Sequence, residues 1–247
     1  MAPRSSFLPT HTAPEVLASI LRKIAAAKAA RRQPVVLFDL DGTLFDNGPR
    51  TWQILYEYAL QKRRDPLSKK LPQLQKMGLP YMLKDILALV DEHDPVQLQE
   101  AAAFWKDRFF RDDYVRYDEP LRGAHQFCIT LWEAGATVVY FSGRDSPNML
   151  IGTAFSLRTH CFPVAVPRAV ITLKEAFEVE DLVFKREAMD FMDSMGDVVA
   201  SFDNEPANCN MFHERWPEAE TVALATSHAP NPKPLHSTVK AIADFVE

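Results

Sequence analysis

The chain has 247 residues, of which 47% are hydrophobic and 25% are charged, a composition typical of a globular protein in water. No apolar run approaches the ~20 residues of a membrane-spanning helix, so membrane insertion is not expected. A net charge of −5 argues against a general nucleic-acid-binding protein, although a local basic pocket could still bind a phosphorylated substrate.

The first predicted element is an amphipathic helix in an N-terminal extension, residues 1–33. Val16, Ile20 and Ile24 recur at helical spacing within residues 15–32, so we expect this helix to pack on the flank of the main domain. The first ten residues lack the continuous apolar segment of a secretory signal, and the three cysteines match no paired spacing. We therefore predict a cytoplasmic protein without a disulfide framework or a zinc site.

The first predicted strand ends in two acidic residues. Residues 35–39 form a short apolar, β-branched run that leads directly into Asp-Leu-Asp-Gly-Thr. Asp39 and Asp41 would repel each other at a strand end, and a divalent cation between them would relieve that repulsion. An isolated Asp-x-Asp is usually turn chemistry or a helix cap, whereas the seven-residue pattern of residues 38–44 after a strand is much more specific.

A helical insertion is predicted next, over residues 47–118. Helical patterns cover residues 52–62, 81–90 and 96–110, and no strand pattern interrupts them. The aromatic side chains of this insertion either fill its core or line a substrate pocket, and their helical spacing favours the core. They are Trp52, Tyr56, Phe104, Trp105, Phe109 and Phe110.

Strand and helix patterns alternate through the rest of the chain. Strands are predicted at residues 137–141, 198–202 and 221–225, with weaker ones at 162–166 and 169–173. Helices are predicted at residues 121–134, 148–159, 181–195 and 205–215, with a final helix after the Pro-rich loop 229–235. This alternation predicts an α/β fold with a Rossmann-like parallel sheet, built from residues 34–46 and 119–247.

Two further segments place chemically useful groups at the predicted sheet edge, where ligands collect in parallel sheets. After the strand 137–141, the Ser142 hydroxyl and the backbone amide exposed at Gly143 could hold phosphoryl oxygens, and Arg144 could bind the substrate. Asp203 follows the strand 198–202 and could complete an oxygen-rich magnesium site with the first two aspartates. Each segment alone also fits an ordinary turn or a helix cap.

A lysine is also needed to offset the negative charge of the nucleophile and the phosphoryl group. Lys185 and Lys174 both fit the role. We favour Lys185, because a helix predicted to start near it at the sheet edge would direct its dipole at the phosphate.

Taken in order, these residues resemble the haloacid dehalogenase superfamily of phosphohydrolases, and the segment between the first two motifs resembles its C1-type helical cap. The resemblance rests on Asp39 with Asp41 in Asp-x-Asp-Gly-Thr-Leu, then Ser142, a lysine, and Asp203. It spans roughly residues 34–225. The fourth motif departs from the family because Asp-Asn-Glu replaces the commoner pair of separated acids, so Asn204 or Asn208 could stand in for the second acid.

The resemblance implies a magnesium-dependent phosphatase that hydrolyses a phosphomonoester through an aspartyl-phosphate intermediate. The implied catalytic residues are Asp39 as nucleophile, Asp41 as general acid and base, Ser142 and Lys185. The implied metal ligands are Asp39, Asp41 and Asp203, and the implied substrate-binding residues are Thr43, Gly143 and Arg144.

Several alternatives stay open from the sequence. A phosphonatase would add a lysine from the insertion, for which Lys62, Lys69, Lys70, Lys76, Lys84 and Lys106 are available. A phosphomutase or a dehalogenase could use the same fold, as could a noncatalytic binding protein. We expect a small phosphorylated substrate rather than a nucleic-acid end and no membrane partner, and the oligomeric state is not predicted.

Overall fold

A six-stranded parallel sheet organises the protein, which is described here by a computed structural model covering residues 6–75 and 78–246. The sheet strands are β1 (Pro34–Phe38), β4 (Thr137–Asp145), β5 (Ala169–Lys174), β6 (Asp197–Asp203), β7 (Glu220–Leu224) and β8 (Lys240–Ile242). A separate antiparallel pair consists of β2 (Phe45–Asp46) and β3 (Glu119–Pro120). The predicted fold class, α/β with a Rossmann-like parallel sheet, is confirmed.

Helices surround the sheet and form the insertion. In chain order they are α1 (Ala13–Ala29), α2 (Gly48–Gln61), α3 (Asp65–Lys70), a 3-10 turn (Leu71–Leu74), α4 (Leu83–Ala88), α5 (Pro95–Phe109), α6 (Asp112–Val115), α7 (Ala124–Glu133), α8 (Ser146–Thr159), α9 (Asp181–Glu187), α10 (Met189–Met195) and α11 (Pro206–Arg215). No helix within the described ranges is long and apolar enough to cross a membrane.

The strand order β5-β4-β1-β6-β7-β8 places β1 in the centre of the sheet. All five residues of β1 are buried, because helices cover both faces of the sheet. The chain first builds outward from β1 through β4 to β5, and then returns to place β6 on the other side of β1. The carboxyl end of β1 therefore lies at the point where the direction of strand addition reverses, the usual ligand site of such sheets.

The N-terminal helix packs on the sheet, as predicted. The Thr12 hydroxyl accepts a hydrogen bond from the Glu15 amide, and the Glu15 carboxylate accepts one from the Thr12 amide, which forms a capping box. Val16, Ile20 and Ile24 are almost completely buried in the main core, and each contributes about 1.5–3 kcal/mol through burial of its side chain. This helix is therefore an integral part of the core.

Two of the predicted secondary-structure elements, one strand and one helix, were wrong. Residues 162–166 form no strand, because Pro163 lacks an amide for a sheet ladder and Ala165 has a positive φ of 55°. The final helix predicted after the Pro-rich loop is instead the short strand β8, which extends the sheet beside β7. The antiparallel pair β2–β3 was not predicted, since two-residue strands carry no periodic pattern.

The helical insertion runs from α2 to α6, between β2 and β3. It has its own apolar core, in which Leu55, Tyr58, Leu71 and Ile86 are buried. It contacts the rest of the protein closely where α6 meets α8, and there the Gly152 amide donates to the Asp112 carboxylate.

The predicted division into an N-terminal extension, a catalytic core and a helical cap stays a prediction. Residues 1–5, 76, 77 and 247, including Lys76, lie outside the described residues.

Candidate active site

Asp39 is the first residue after the buried strand β1. Its amide donates to the carbonyl of Phe202 in the neighbouring strand β6, which fixes the backbone at the end of the sheet. Its side chain is 8% exposed and lines a cavity at this edge. Burial raises the pKa of Asp39 above its ordinary value and Lys185 opposes that rise, so a cation facing this carboxylate would favour its ionised form.

Lys185 lies between Asp39 and Asp203. Its Nζ atom donates to Oδ1 of Asp39 and to Oδ2 of Asp203, both at 2.7 Å, and its side chain is 2% exposed. Burial alone would lower the pKa of Lys185, but Asp203 and Asp39 together raise it, so the amine is held as an ammonium group. The structure therefore places Lys185, rather than Lys174, between the two acids.

Lys185 was favoured because a helix was predicted to start near it, and this expectation was wrong. Lys185 lies in the last turn of α9, so the positive end of the helix dipole is not next to it. Lys174, at the end of β5, also lines the cavity, but its Nζ atom donates to Asp181 at 2.8 Å.

Asp203 ends strand β6 beside Asp39. Its Oδ2 atom accepts hydrogen bonds from Lys185 and from Nδ2 of Asn208, at 2.7 and 3.0 Å, while Oδ1 accepts from the Glu205 amide at 2.8 Å. Asn204 points elsewhere, because its Nδ2 atom donates to the carbonyl of Ser227. Of the two asparagines considered as substitutes for the second acid, only Asn208 donates a side-chain hydrogen bond to the Asp203 carboxylate.

The Asp41 carboxylate turns toward two arginines instead of Asp39. Arg144 donates to it from Nε and Nη2 at 2.9 and 2.7 Å, and Arg50 donates from Nη2 at 2.9 Å. Burial acts to raise the pKa of Asp41, but Arg144 and Arg50 outweigh this effect and hold the pKa well below its usual range. The two arginines therefore take up most of the hydrogen-bonding capacity of the Asp41 carboxylate oxygens.

A second buried acid, Asp118, completes this arrangement. It accepts hydrogen bonds from Nε and Nη2 of Arg50 and from Nη2 of Arg144. The side chains of Asp118 and Arg50 have no exposed surface, and that of Arg144 is 1% exposed. Two arginines and two aspartates thus form one group, buried except for the partly exposed Asp41 side chain, which we call the Arg–Asp network. Neither Arg50 nor Asp118 was predicted from the sequence.

The remaining predicted residues divide into two sets. Ser142 and Gly143 line the cavity, and the Ser142 hydroxyl accepts a hydrogen bond from the Arg144 amide at 3.3 Å. Arg144 also lines the cavity, although its guanidinium contacts two aspartates and Thr153. Thr43 is fully buried, and its hydroxyl donates to Asn204 rather than facing the cavity. The structure does not bring the Thr43 side chain to the site.

The residues at the sheet edge suit a magnesium ion held by two carboxylates. With both acids ionised, Asp39, Asp203 and Lys185 would carry a combined charge of −1, and the two carboxylates would offer the oxygen ligands that magnesium prefers. Within the described residues, no group of three or more His, Cys, Asp or Glu side chains is arranged to hold a metal. Magnesium commonly uses one or two carboxylates together with water and phosphate, so this donor set fits it. The structure brings together two of the three predicted metal ligands, because Asp41 lies on its arginines.

The cavity above these acids extends into the helical insertion and has a volume of about 420 Å³. Trp105, Phe109 and Phe110 from α5 and the residue after it line one side, next to Phe177 from the sheet domain. Phe110 and Phe177 make an edge-to-face contact with ring centroids 4.9 Å apart. These three insertion aromatics thus line the cavity, whereas Trp52, Tyr56 and Phe104 pack against the insertion core, as their spacing indicated.

Comparison with known proteins gives matches among solved structures. A candidate phosphatase from Clostridium difficile is similar over 86% of this chain and 94% of its own, with 15% identity and a TM-score of 0.55. Protein Tyrosine Kinase A of Mycobacterium tuberculosis is similar over the same shares, with 14% identity and a TM-score of 0.51. A haloacid dehalogenase-like family hydrolase from Streptococcus pneumoniae matches over 85% and 93%, with 12% identity and a TM-score of 0.48.

No protein-family model matches the chain, and no curated protein sequence does either. The structural similarities, all at low identity, show the fold. The chain shares its α/β fold with the candidate phosphatase and with Protein Tyrosine Kinase A, in agreement with the fold implied by the resemblance of its motifs.

Proposed function

We propose that the protein is a magnesium-dependent phosphatase that hydrolyses a phosphomonoester through an aspartyl-phosphate intermediate on Asp39. One observation carries this proposal: the buried ammonium group of Lys185 lies 2.7 Å from both Asp39 and Asp203 at the bottom of a cavity. This arrangement concentrates a carboxylate nucleophile, a cation and a second acid at the carboxyl edge of a parallel sheet.

In the first half-reaction, an oxygen of Asp39 attacks the phosphorus atom and the ester P–O bond breaks. Lys185 reduces the repulsion between the anionic nucleophile and the anionic ester. The Ser142 hydroxyl and the Gly143 amide, which lie along the cavity, bind phosphoryl oxygens as negative charge develops. The products of this step are the aspartyl phosphate and the alcohol, which takes its proton from the protonated form of Asp41.

In the second half-reaction, Asp41 removes a proton from the water that attacks the aspartyl phosphate. The two arginines keep Asp41 ionised but also weaken it as a base, so its contacts with them would have to loosen when it accepts the proton. Protonation of the leaving alcohol in the first half-reaction would require Asp41 to carry a proton, and hence to loosen its contacts with Arg50 and Arg144. Phosphate is then released and Asp39 returns to its carboxylate form.

A magnesium ion would be held by Asp39 and Asp203. It supplies charge neutralisation at the phosphoryl oxygens when bound. The hydrogen bonds from Asn208 and from the Glu205 amide fix the Asp203 carboxylate in position for that role.

The helical insertion would act as a cap over this site. Its aromatic residues form one side of the cavity, so its shape would help to select the substrate. We further propose a small phosphorylated substrate and a cytoplasmic location.

Phosphate release from a panel of phosphate esters, with magnesium or with a chelator, tests the proposal. The Asp39→Asn variant should lose at least about 10³-fold in kcat, because it lacks the nucleophile. Asp193→Asn, an exposed and distant change of the same type, should keep wild-type activity. Equal release from purified, folded Asp39→Asn and wild-type protein would overturn the nucleophile assignment. If the wild-type protein released no phosphate from any ester of the panel, the result would instead favour the phosphonatase, dehalogenase or noncatalytic alternatives.

A further inference from the structure

Four aromatic residues, from the helical insertion and from the segment after β5, form an aromatic wall of the cavity. We use this name for Trp105, Phe109, Phe110 and Phe177, which all line the cavity. Trp105 and Phe109 stack with centroids 4.2 Å apart, and Phe110 makes edge-to-face contacts with both Phe109 and Phe177. The indole Nε1 of Trp105 donates to the Thr51 hydroxyl, so its polar group is already satisfied. Phe109 is nearly buried, because Trp105 and the Arg50 guanidinium both lie against its ring. The other three residues of the wall therefore provide most of the available ring surface.

The cavity has no surplus positive charge for a second anionic group. Three cationic side chains line it within the described part of the chain, namely Arg144, Lys174 and Lys185. Each one already contacts aspartate carboxylates, at 2.7–2.9 Å. A leaving group with a carboxylate or a second phosphate would therefore enter without an available counter-charge.

Several of the acidic side chains that line the cavity also accept hydrogen bonds. Asp46 accepts a hydrogen bond from the Gly48 amide, Asp181 accepts one from Lys174, and both Glu205 carboxylate oxygens accept from the Ala229 amide. These contacts reduce the attraction that the acids would exert on a cationic leaving group. Acidic side chains outnumber cationic ones around the cavity by six to three, so the lining disfavours a second anionic group most strongly. An uncharged group avoids both that repulsion and the loss of hydration that an ammonium group would suffer on entry.

We infer that the substrate is a phosphate monoester of an uncharged aromatic alcohol, with the ring against the aromatic wall and the phosphate at Asp39. This inference rests on the proposed function and names its substrate class. The volume of about 420 Å³ lies toward the small end of ligand pockets, which suits one ring with one phosphate. Ring-on-ring contact and burial of apolar surface then provide the selectivity.

Four esters with alkyl leaving groups separate ring preference from charge. They are benzyl phosphate, 4-carboxybenzyl phosphate, 4-(aminomethyl)benzyl phosphate and glycerol 3-phosphate. The first three share the reacting centre and differ in the charge on the ring, whereas glycerol 3-phosphate is neutral and polar. We expect kcat/KM for benzyl phosphate to exceed each of the others by about tenfold or more, the scale set by unpaired charges and lost apolar contact.

Variants of the wall test where the preference originates. Phe110→Ala and Phe177→Ala should each lower kcat/KM for benzyl phosphate by roughly 3–10-fold, in line with the value of an aromatic pair. They should change kcat/KM for glycerol 3-phosphate much less. Phe191→Ala, at an exposed aromatic residue that does not line the cavity, is the matched control and should change neither.

Calorimetric binding of the same esters to Asp39→Asn keeps the two proposals distinguishable. Absence of Asp39-dependent turnover with every ester would refute the proposed phosphatase, and the order of affinities would still decide the substrate class. Benzyl phosphate should bind most tightly. Equal or better binding and turnover of the carboxylated, aminated or glycerol ester would overturn the inference, as would an equal loss for all esters in the wall variants.

Discussion

Neutralising Asp118 should destabilise the protein strongly. The Arg–Asp network has two positive and two negative charges, and the side chain of Asp118 is fully buried. Asp118→Asn would leave Arg50 and Arg144 with Asp41 alone, and hence one buried positive charge without a partner. Breaking a buried ion pair in this way costs about 3–5 kcal/mol, so we expect the free energy of unfolding to fall by that amount.

A double-mutant cycle identifies the electrostatic cause. Arg50→Met alone leaves one surplus negative charge, whereas Asp118→Asn combined with Arg50→Met restores neutrality. The double variant should therefore be more stable than the sum of the single effects indicates, with a coupling of about 0.5–3 kcal/mol. Urea unfolding followed by tryptophan fluorescence measures each value, since the chain has four tryptophans.

The control is the exposed pair Asp193 and Arg215, in which Asp193→Asn should cost no more than about 1 kcal/mol. A loss below about 1 kcal/mol for Asp118→Asn would refute the reasoning about the buried network. Strict additivity of the two single changes would refute it as well, because it would mean that the charges do not interact. An unchanged m-value is required for either conclusion.

Three further changes have expected outcomes. Lys185→Met should lower kcat by about 10²–10³-fold, because it removes the cation beside Asp39, and phosphate release measures it. Gly152→Ala should lower the free energy of unfolding by about 1–3 kcal/mol, because the added methyl group would clash with the Asp112 carbonyl oxygen. Burial acts to raise the pKa of Glu220, but hydrogen bonds from Lys240 and Ser19 lower it overall. The stability it contributes is therefore present above about pH 4.5 and lost as pH falls, so Glu220→Gln should flatten the decline in urea midpoint between pH 6 and pH 3.

Each of these outcomes has a contrary result. Wild-type kcat in Lys185→Met would remove the lysine from the mechanism. A higher urea midpoint for Gly152→Ala would show that α6 can move away from α8 at little cost. Parallel pH profiles for wild type and Glu220→Gln would show that another group causes the acid-dependent loss.

The sequence was informative wherever a functional side chain directly follows a buried strand. Asp39 and Asp203 could be placed side by side because their apolar strands indicate a parallel sheet whose carboxyl ends share one edge. Lys185 was a choice between two candidates, and its distance from Asp39 depends on how α9 packs under the sheet edge. The magnesium ion, the mechanism and the substrate class stay predictions that experiments must test.

Contacts across the insertion could not be predicted. Arg50 and Asp118 are 68 positions apart, and they meet because the chain returns from five helices through β3 beside β2. Neither residue belongs to a periodic pattern or a strand end. For the same reason, the orientation of Asp41 toward arginines was not foreseen. The aromatic wall was ambiguous, since residues on one helix of the insertion face either its own core or the cavity.

The position of Arg50 also determines which part of the helical insertion is held against the sheet domain. Arg50 lies in the first turn of α2, immediately after β2, and its guanidinium is enclosed between Asp118 and Asp41. Moving the start of α2 would separate buried charges at a cost of several kcal/mol. The junction between β2 and α2 is therefore held in place, and any widening of the entrance to the cavity would have to come from parts of the insertion farther from β2. Access to the nucleophile would then be controlled by the tip of the insertion, while its base keeps Asp41 in register with the sheet.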